Sequence, residues 1–126
     1  MAAEHDRITG DQLAAIAREL SSIKARSMGK GPTGAKAYQC DQFIFCVLEG
    51  TVTPVERTLL DNGDEDMVRG LRMRYQQRMA HEYMGVVREV LDRAVLTYQS
   101  QVVFDPDYTI EIFVLADGEG TLPVPE

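Results

Sequence analysis

The chain has no apolar run long enough to cross a bilayer. Its longest, residues 43–48, is six residues against the roughly 20 that a spanning helix requires, so no stable membrane insertion is expected. Residues 1–10 are polar and charged and lack the apolar stretch of a signal peptide; the expected location is cytoplasmic. Tryptophan is absent and cysteine occurs twice. Cys40 and Cys46 would lie about 20 Å apart along one straight strand, and a disulfide needs Cα atoms within about 7 Å. A turn between them would shorten that distance, but a reducing compartment disfavours the bond, so two plain thiols are expected. There are two histidines, of which only His81 falls in the expected folded part. Glu82 follows it, with no second histidine at zinc-protease spacing. One histidine with two distant cysteines does not make a metal site. No metal, no cofactor and no catalytic set is therefore expected. A basic excess is missing too. The 13 Lys and Arg against 20 Asp and Glu leave a net charge of −7, which makes nucleic acid the least favoured partner.

The composition that remains is that of a globular domain. At 126 residues and 44% hydrophobic content the chain suits one domain with a sizeable core. Its basic residues are clustered. Residues 20–40 carry Lys24, Arg26, Lys30 and Lys36 with no acid, and residues 67–81 carry Arg69, Arg72, Arg74 and Arg78, again with no acid.

Patterning divides the chain into seven elements. Thr9 with Gln12 forms a capping box, and Leu13, Ile16, Ala17, Leu20 and Ile23 give one apolar helical face ending near Gly29. Residues 29–34 are a glycine-rich loop. Residues 35–39 and 43–48 read as strands around a turn, the second apolar at every position and expected to be buried on both faces. Thr53-Pro54-Val55-Glu56 opens a short helix closed by Asn62-Gly63. A helix of about 29 residues then runs to Arg93; it is expected to kink near Gly85 or to overhang the sheet and meet a partner. Residues 95–104 and 108–115 form a hairpin, with Tyr108, Ile110, Ile112 and Val114 on one face and Thr109 and Glu111 beginning the other. The expected fold is α+β: helix, hairpin, helix, long helix, hairpin, with a mainly antiparallel four-stranded sheet and helices on one face. Residues 1–8 and 117–126 are expected as tails around one domain over residues 9–116.

Four segments taken together carry a resemblance: Gly29-Lys30-Gly31-Pro32-Thr33; Val47-Leu48-Glu49-Gly50; Thr53-Pro54-Val55-Glu56 with Leu59-Leu60; and Ile110-Glu111-Ile112-Phe113-Val114-Leu115. In this order and spacing, over roughly residues 9–115, the chain resembles the MpsC-like domain, a bacterial family long labelled a domain of unknown function. The resemblance implies a link to a sodium-dependent system that generates membrane potential and supplies inorganic carbon. It implies no catalytic residues. A chain with no spanning segment could serve such a system only as a soluble accessory.

Residues 29–34 match G-x-G-x-x-G by letter, but a dinucleotide fingerprint lies between a strand and a helix N-terminus. Here the order is helix, loop, strand, and the adjoining helix end carries the negative pole of its dipole. A small-anion site is a better use of the loop. Its free N–H groups and nearby cations suggest Lys30, Gly31, Thr33 and Lys36, joined by Arg69 and Arg72 if the arginine-rich helix lies close. The alternative is that these charges are solvated surface. Met67, Tyr75, Met79 and Tyr83 read as core, or in part as a homodimer seam on the long helix. The leading expectation is a non-enzymatic accessory or regulatory module, a homodimer that binds a partner protein or a small anion. The alternative is an enzyme acting on an anionic substrate through His81 or Tyr75.

Overall fold

The computed structural model describes residues 7–116 and Pro125; the expected tails lie largely outside the described residues. The elements follow the expected order. They are α1 (Gly10–Met28), β1 (Gly34–Cys40), β2 (Phe43–Glu49), α2 (Pro54–Asp61), α3 (Glu65–Leu91), β3 (Val95–Val103) and β4 (Tyr108–Leu115). The fold is α+β, with the four strands in one sheet ordered β1-β2-β4-β3 and every neighbouring pair antiparallel.

The helix ends are set by local chemistry. At α1 the Gln12 N–H donates to Thr9 Oγ1 and the Thr9 N–H donates to Gln12 Oε1, so two donors that no helical carbonyl can reach are satisfied. The helix stops where Gly29 turns left-handed at φ 81° and its N–H returns to the Ala25 carbonyl. The same reciprocal box joins Thr53 and Glu56 at α2, with Pro54 in the first turn. Thr53→Ala should cost about 1 kcal/mol for the cap, read as a lower urea midpoint. A larger loss would mean that Thr53 chiefly holds Glu56 in place, since its hydroxyl also donates to Glu56 Oε1 at 3.1 Å.

Two apolar clusters explain the length of α3. Tyr83, Val87 and Leu91 enter the main core with Ile16, Leu20 and Ile23 of α1 and Ile44, Cys46, Leu48, Phe113 and Leu115 of the sheet. One end of the helix, through Val68, joins a smaller cluster with Val52, Phe104, Leu59 and Leu60. The helix needs neither a break nor an overhang: its 27 residues run unbroken through Gly85 and span both clusters. Tyr83 is fully buried and Tyr75 and Met79 pack against the main core. Of the four residues suggested for a helical seam, only Met67 is exposed, at 63%.

A turn at Asp41-Gln42 separates Cys40 from Cys46, yet they do not face each other: Cys40 pairs with Phe43, and Cys46 with Ala37. Both are free thiols.

Candidate functional site: a bare sheet face over a buried ionic core

The strands alternate in burial, and the alternation separates two unlike faces. Ile44, Cys46 and Leu48 of β2 and Thr109, Glu111, Phe113 and Leu115 of β4 are buried beneath the helices. Phe43, Phe45 and Val47, with Tyr108, Ile110, Ile112 and Val114, are half-buried on the opposite face. Burial of residues 43–48 on both faces is thus corrected: β2 is central in the sheet, but among the described residues only one side carries helices. Registers align four rows on the bare face. They are Tyr38-Phe45-Ile112-Gln99, Lys36-Val47-Ile110-Gln101, Cys40-Phe43-Val114-Thr97 and Gly34-Glu49-Tyr108-Val103. Aliphatic and aromatic side chains fill the two central strands, and the rings of Phe43 and Phe45 stack at 6.3 Å. Lys36 and Glu49 are the only Lys, Arg, Asp or Glu residues in these rows.

The covered face holds the charge. Arg72 of α3, 4% exposed, forks onto Glu56: Nε donates to Oε2 at 2.6 Å and Nη2 to Oε1 at 2.9 Å. Nη2 also donates to the Thr51 carbonyl at 2.9 Å, and Nη1 reaches the hydroxyls of Thr51 and Thr109. Burial alone would raise the Glu56 carboxyl, but the Arg72 fork and the Thr53 N–H hold it below the usual carboxylate range. A second pair lies in the main core. Lys24 Nζ is 3.7 Å from Glu111 Oε2, both side chains almost wholly buried, and 4.8 Å above the Tyr75 ring. Glu111 Oε1 accepts the Tyr98 hydroxyl at 2.7 Å, whereas Oε2 has no hydrogen-bond partner. Burial lowers the Lys24 pKa, and the Glu111 charge opposes that shift. The Tyr83 and Tyr98 hydroxyls are pushed up by burial and then by the Glu111 charge. The Cys46 thiol is raised to about 12 by the same two causes.

The residues suggested for an anion site converge in part. Lys30 Nζ donates to the Gly50 carbonyl and Arg72 to the next one, Thr51, so the glycine loop and α3 do meet at the β2–α2 connection. Asp107 grips that connection as well, through the N–H groups of Thr51 and Val52. Thr33 bonds the Glu49 carbonyl, and Gly31 lies against Ala25. Lys36 is on the bare face over the Tyr38 ring. Arg69 pairs with Glu65 at 2.8 Å and stacks on Phe104. An anion binding here would have to displace internal contacts of Lys30, Arg69 and Arg72. His81 is exposed. The Tyr75 hydroxyl is held by Ser27 and Tyr83, and burial raises its pKa, opposite to the need of a general base. Among the described residues no cluster could hold a metal ion, and no helix is long and apolar enough to cross a membrane.

Sequence patterning left Glu56, Glu111 and the bare face out of the candidate site, and offered Lys24 only as a further cation of the glycine loop. The family model described as "Na+-translocating membrane potential-generating system (MpsC)" matches residues 9–117. No curated protein and no solved structure matches the chain.

Proposed function

The chain belongs to the MpsC family, and we propose that it serves there as a non-catalytic accessory module that works as a homodimer, two copies stacking through their bare sheet faces. The observation that carries this reading is the apolar centre of a sheet that, among the described residues, is covered on one side only. Four strands about 4.8 Å apart and seven residues long at about 3.4 Å each present a face of about 19 by 24 Å. Side-chain relief adds to that projection of about 450 Å², so two copies approach the ~1,200 Å² at which specific interfaces begin.

A second copy suits this face because it is complementary to itself. A two-fold axis along the strands lays β2 of one copy on β4 of the other, so that Phe45 meets Ile112 and Phe43 meets Val114. Lys36 then faces Gln101 and Glu49 faces Tyr108, and no like charges are opposed. Stacked sheets pack about 10 Å apart, leaving both helical layers outward. The link to a sodium-dependent, membrane-potential-generating system rests on the family description; a chain of this build would act on it from outside the bilayer.

Light scattering at micromolar concentration should give twice the 14.1 kDa chain mass. Phe45→Asp and Ile112→Asp should each give a monomer with unchanged helical circular dichroism, because a charge in a desolvated apolar interface is left unpaired. Met67→Asp, on the exposed side of α3, should leave the dimer intact. A monomeric wild-type chain at 100 micromolar, or a dimer that survives both face variants, would sink the proposal.

A further inference from the structure

We infer that the groove between α1 and the outer edge of β1 is a peptide site, taking an extended acidic segment of a partner protein by strand addition. β1 is an edge of the sheet, and an edge strand leaves alternate N–H and C=O groups without a ladder partner. Edges are normally guarded by charged side chains, above all lysine, by proline or by bulges that break the pairing. The β3 edge has such a guard, a register shift between Val95 and Thr97. β1 has neither bulge nor proline: its seven residues pair with β2 in unbroken register, and its one charged side chain is Lys36.

Beside this edge lies a cavity of about 400 Å³. Small side chains keep it open: Ala14, Ala17 and Ser21 from α1, facing Ala35 and Ala37 of β1. A strand added to β1 would turn every second side chain towards α1, into a space sized for alanine, valine or threonine. The main chain would supply affinity and the hollow would select side chains, as in other strand-addition grooves. The charged residues that line the groove are both cations, Arg18 from α1 and Lys36, whose ammonium lies over the Tyr38 ring at the edge, and among the described residues no acid lines it. In a chain of net charge −7 that local sign favours a segment carrying Asp or Glu beside small apolar residues. Face-to-face stacking of two sheets leaves both β1 edges free, so this inference does not depend on the homodimer.

The probe is a displayed library of random heptapeptides, panned on the full chain. Enriched sequences should alternate small apolar residues with Asp or Glu and lack proline. The best one, made synthetically, should shift the amide resonances of Ala14, Ala17, Ala35 and Ala37 and slow amide exchange along β1. Ala14→Trp, at an exposed helix position, should fill the groove and weaken binding more than tenfold with an unchanged thermal midpoint. Arg18→Glu should weaken it as well. No enrichment, enrichment of basic or proline-rich sequences, or affinity indifferent to Ala14→Trp would overturn the inference. So would a dimer that survives Phe45→Asp and dissociates in Ala14→Trp, because the edge would then belong to a second copy.

Discussion

Arg72→Ala is expected to lower the free energy of unfolding by about 3–5 kcal/mol, the usual consequence of leaving one member of a buried ion pair alone. The guanidinium meets Glu56 with two donors and the Thr51 carbonyl with a third contact. Its removal leaves a fully buried carboxylate with the N–H and hydroxyl of Thr53 as its remaining donors. Domains of this size hold only about 5–15 kcal/mol in all, so the variant should unfold at a much lower urea concentration. Arg72→Lys should recover only part of the loss, because an ammonium cannot reproduce the planar fork. A loss below 1 kcal/mol for Arg72→Ala would mean that water reaches Glu56 and that the pair is not sealed.

The same pair fixes a pH dependence. Glu56 is held below its ordinary value in the folded chain, so the unfolded chain binds more protons as the pH falls past the unfolded carboxylate range. The stability contributed by Glu56 is complete above that range and is lost as the pH drops through the folded value. Glu56→Gln should flatten this part of the acid limb, and an acid limb identical to wild type would contradict the assignment.

Element boundaries were legible because they depend on neighbours in sequence. Thr9 with Gln12, Thr53 with Glu56, and Gly29 each act within one turn of chain, and the helices begin and end where these residues place them. The sidedness of the hairpin was not legible. Alternation along β4 divides Tyr108, Ile110, Ile112 and Val114 from Thr109 and Glu111, but period two has no preferred side. The helices cover the face with the carboxylate, where α1 brings Lys24 to Glu111 and α3 brings Arg72 to Glu56 of α2. A signal for this existed. Lys24 lies on the stripe of Ile16, Leu20 and Ile23, and Arg72 on the stripe of Val68, Tyr75 and Tyr83, while Glu111 shares the face of Phe113 and Leu115. Single charges usually read as surface; three of them on core stripes, two positive and one negative, point to an internal network. The anion hypothesis grouped Arg69 with Arg72, yet the three-residue step between them leaves Arg69 at the rim and Arg72 inside.

Lys24 and Glu111 should behave as a coupled pair whose joint removal is far milder than either single loss. Lys24→Met leaves Glu111 buried with Tyr98 as its one hydrogen-bond donor, and about 3 kcal/mol of stability should go with it. Glu111→Gln leaves a buried ammonium above the Tyr75 ring and should cost a similar amount. In the double variant the glutamine carbonyl still accepts from Tyr98, and methionine fills the space of the lysine stem. Replacing a whole buried pair in this way is often neutral or stabilising, so the two single losses should overshoot the double by several kcal/mol. Additive losses would show that the 3.7 Å separation carries no coupling. Alkaline titration supplies an independent check. Because the folded Lys24 pKa lies below its ordinary 10.5, the unfolded chain holds more protons between those values, and stability contributed through Lys24 climbs as the pH rises across that window. The raised hydroxyls of Tyr75, Tyr83 and Tyr98 and the raised Cys46 thiol act in the opposite direction above their unfolded values. Those groups are common to wild type and Lys24→Met, so they largely cancel in the difference between the two. That difference should rise with pH on approaching 10.5, and a flat difference would place Lys24 in contact with solvent.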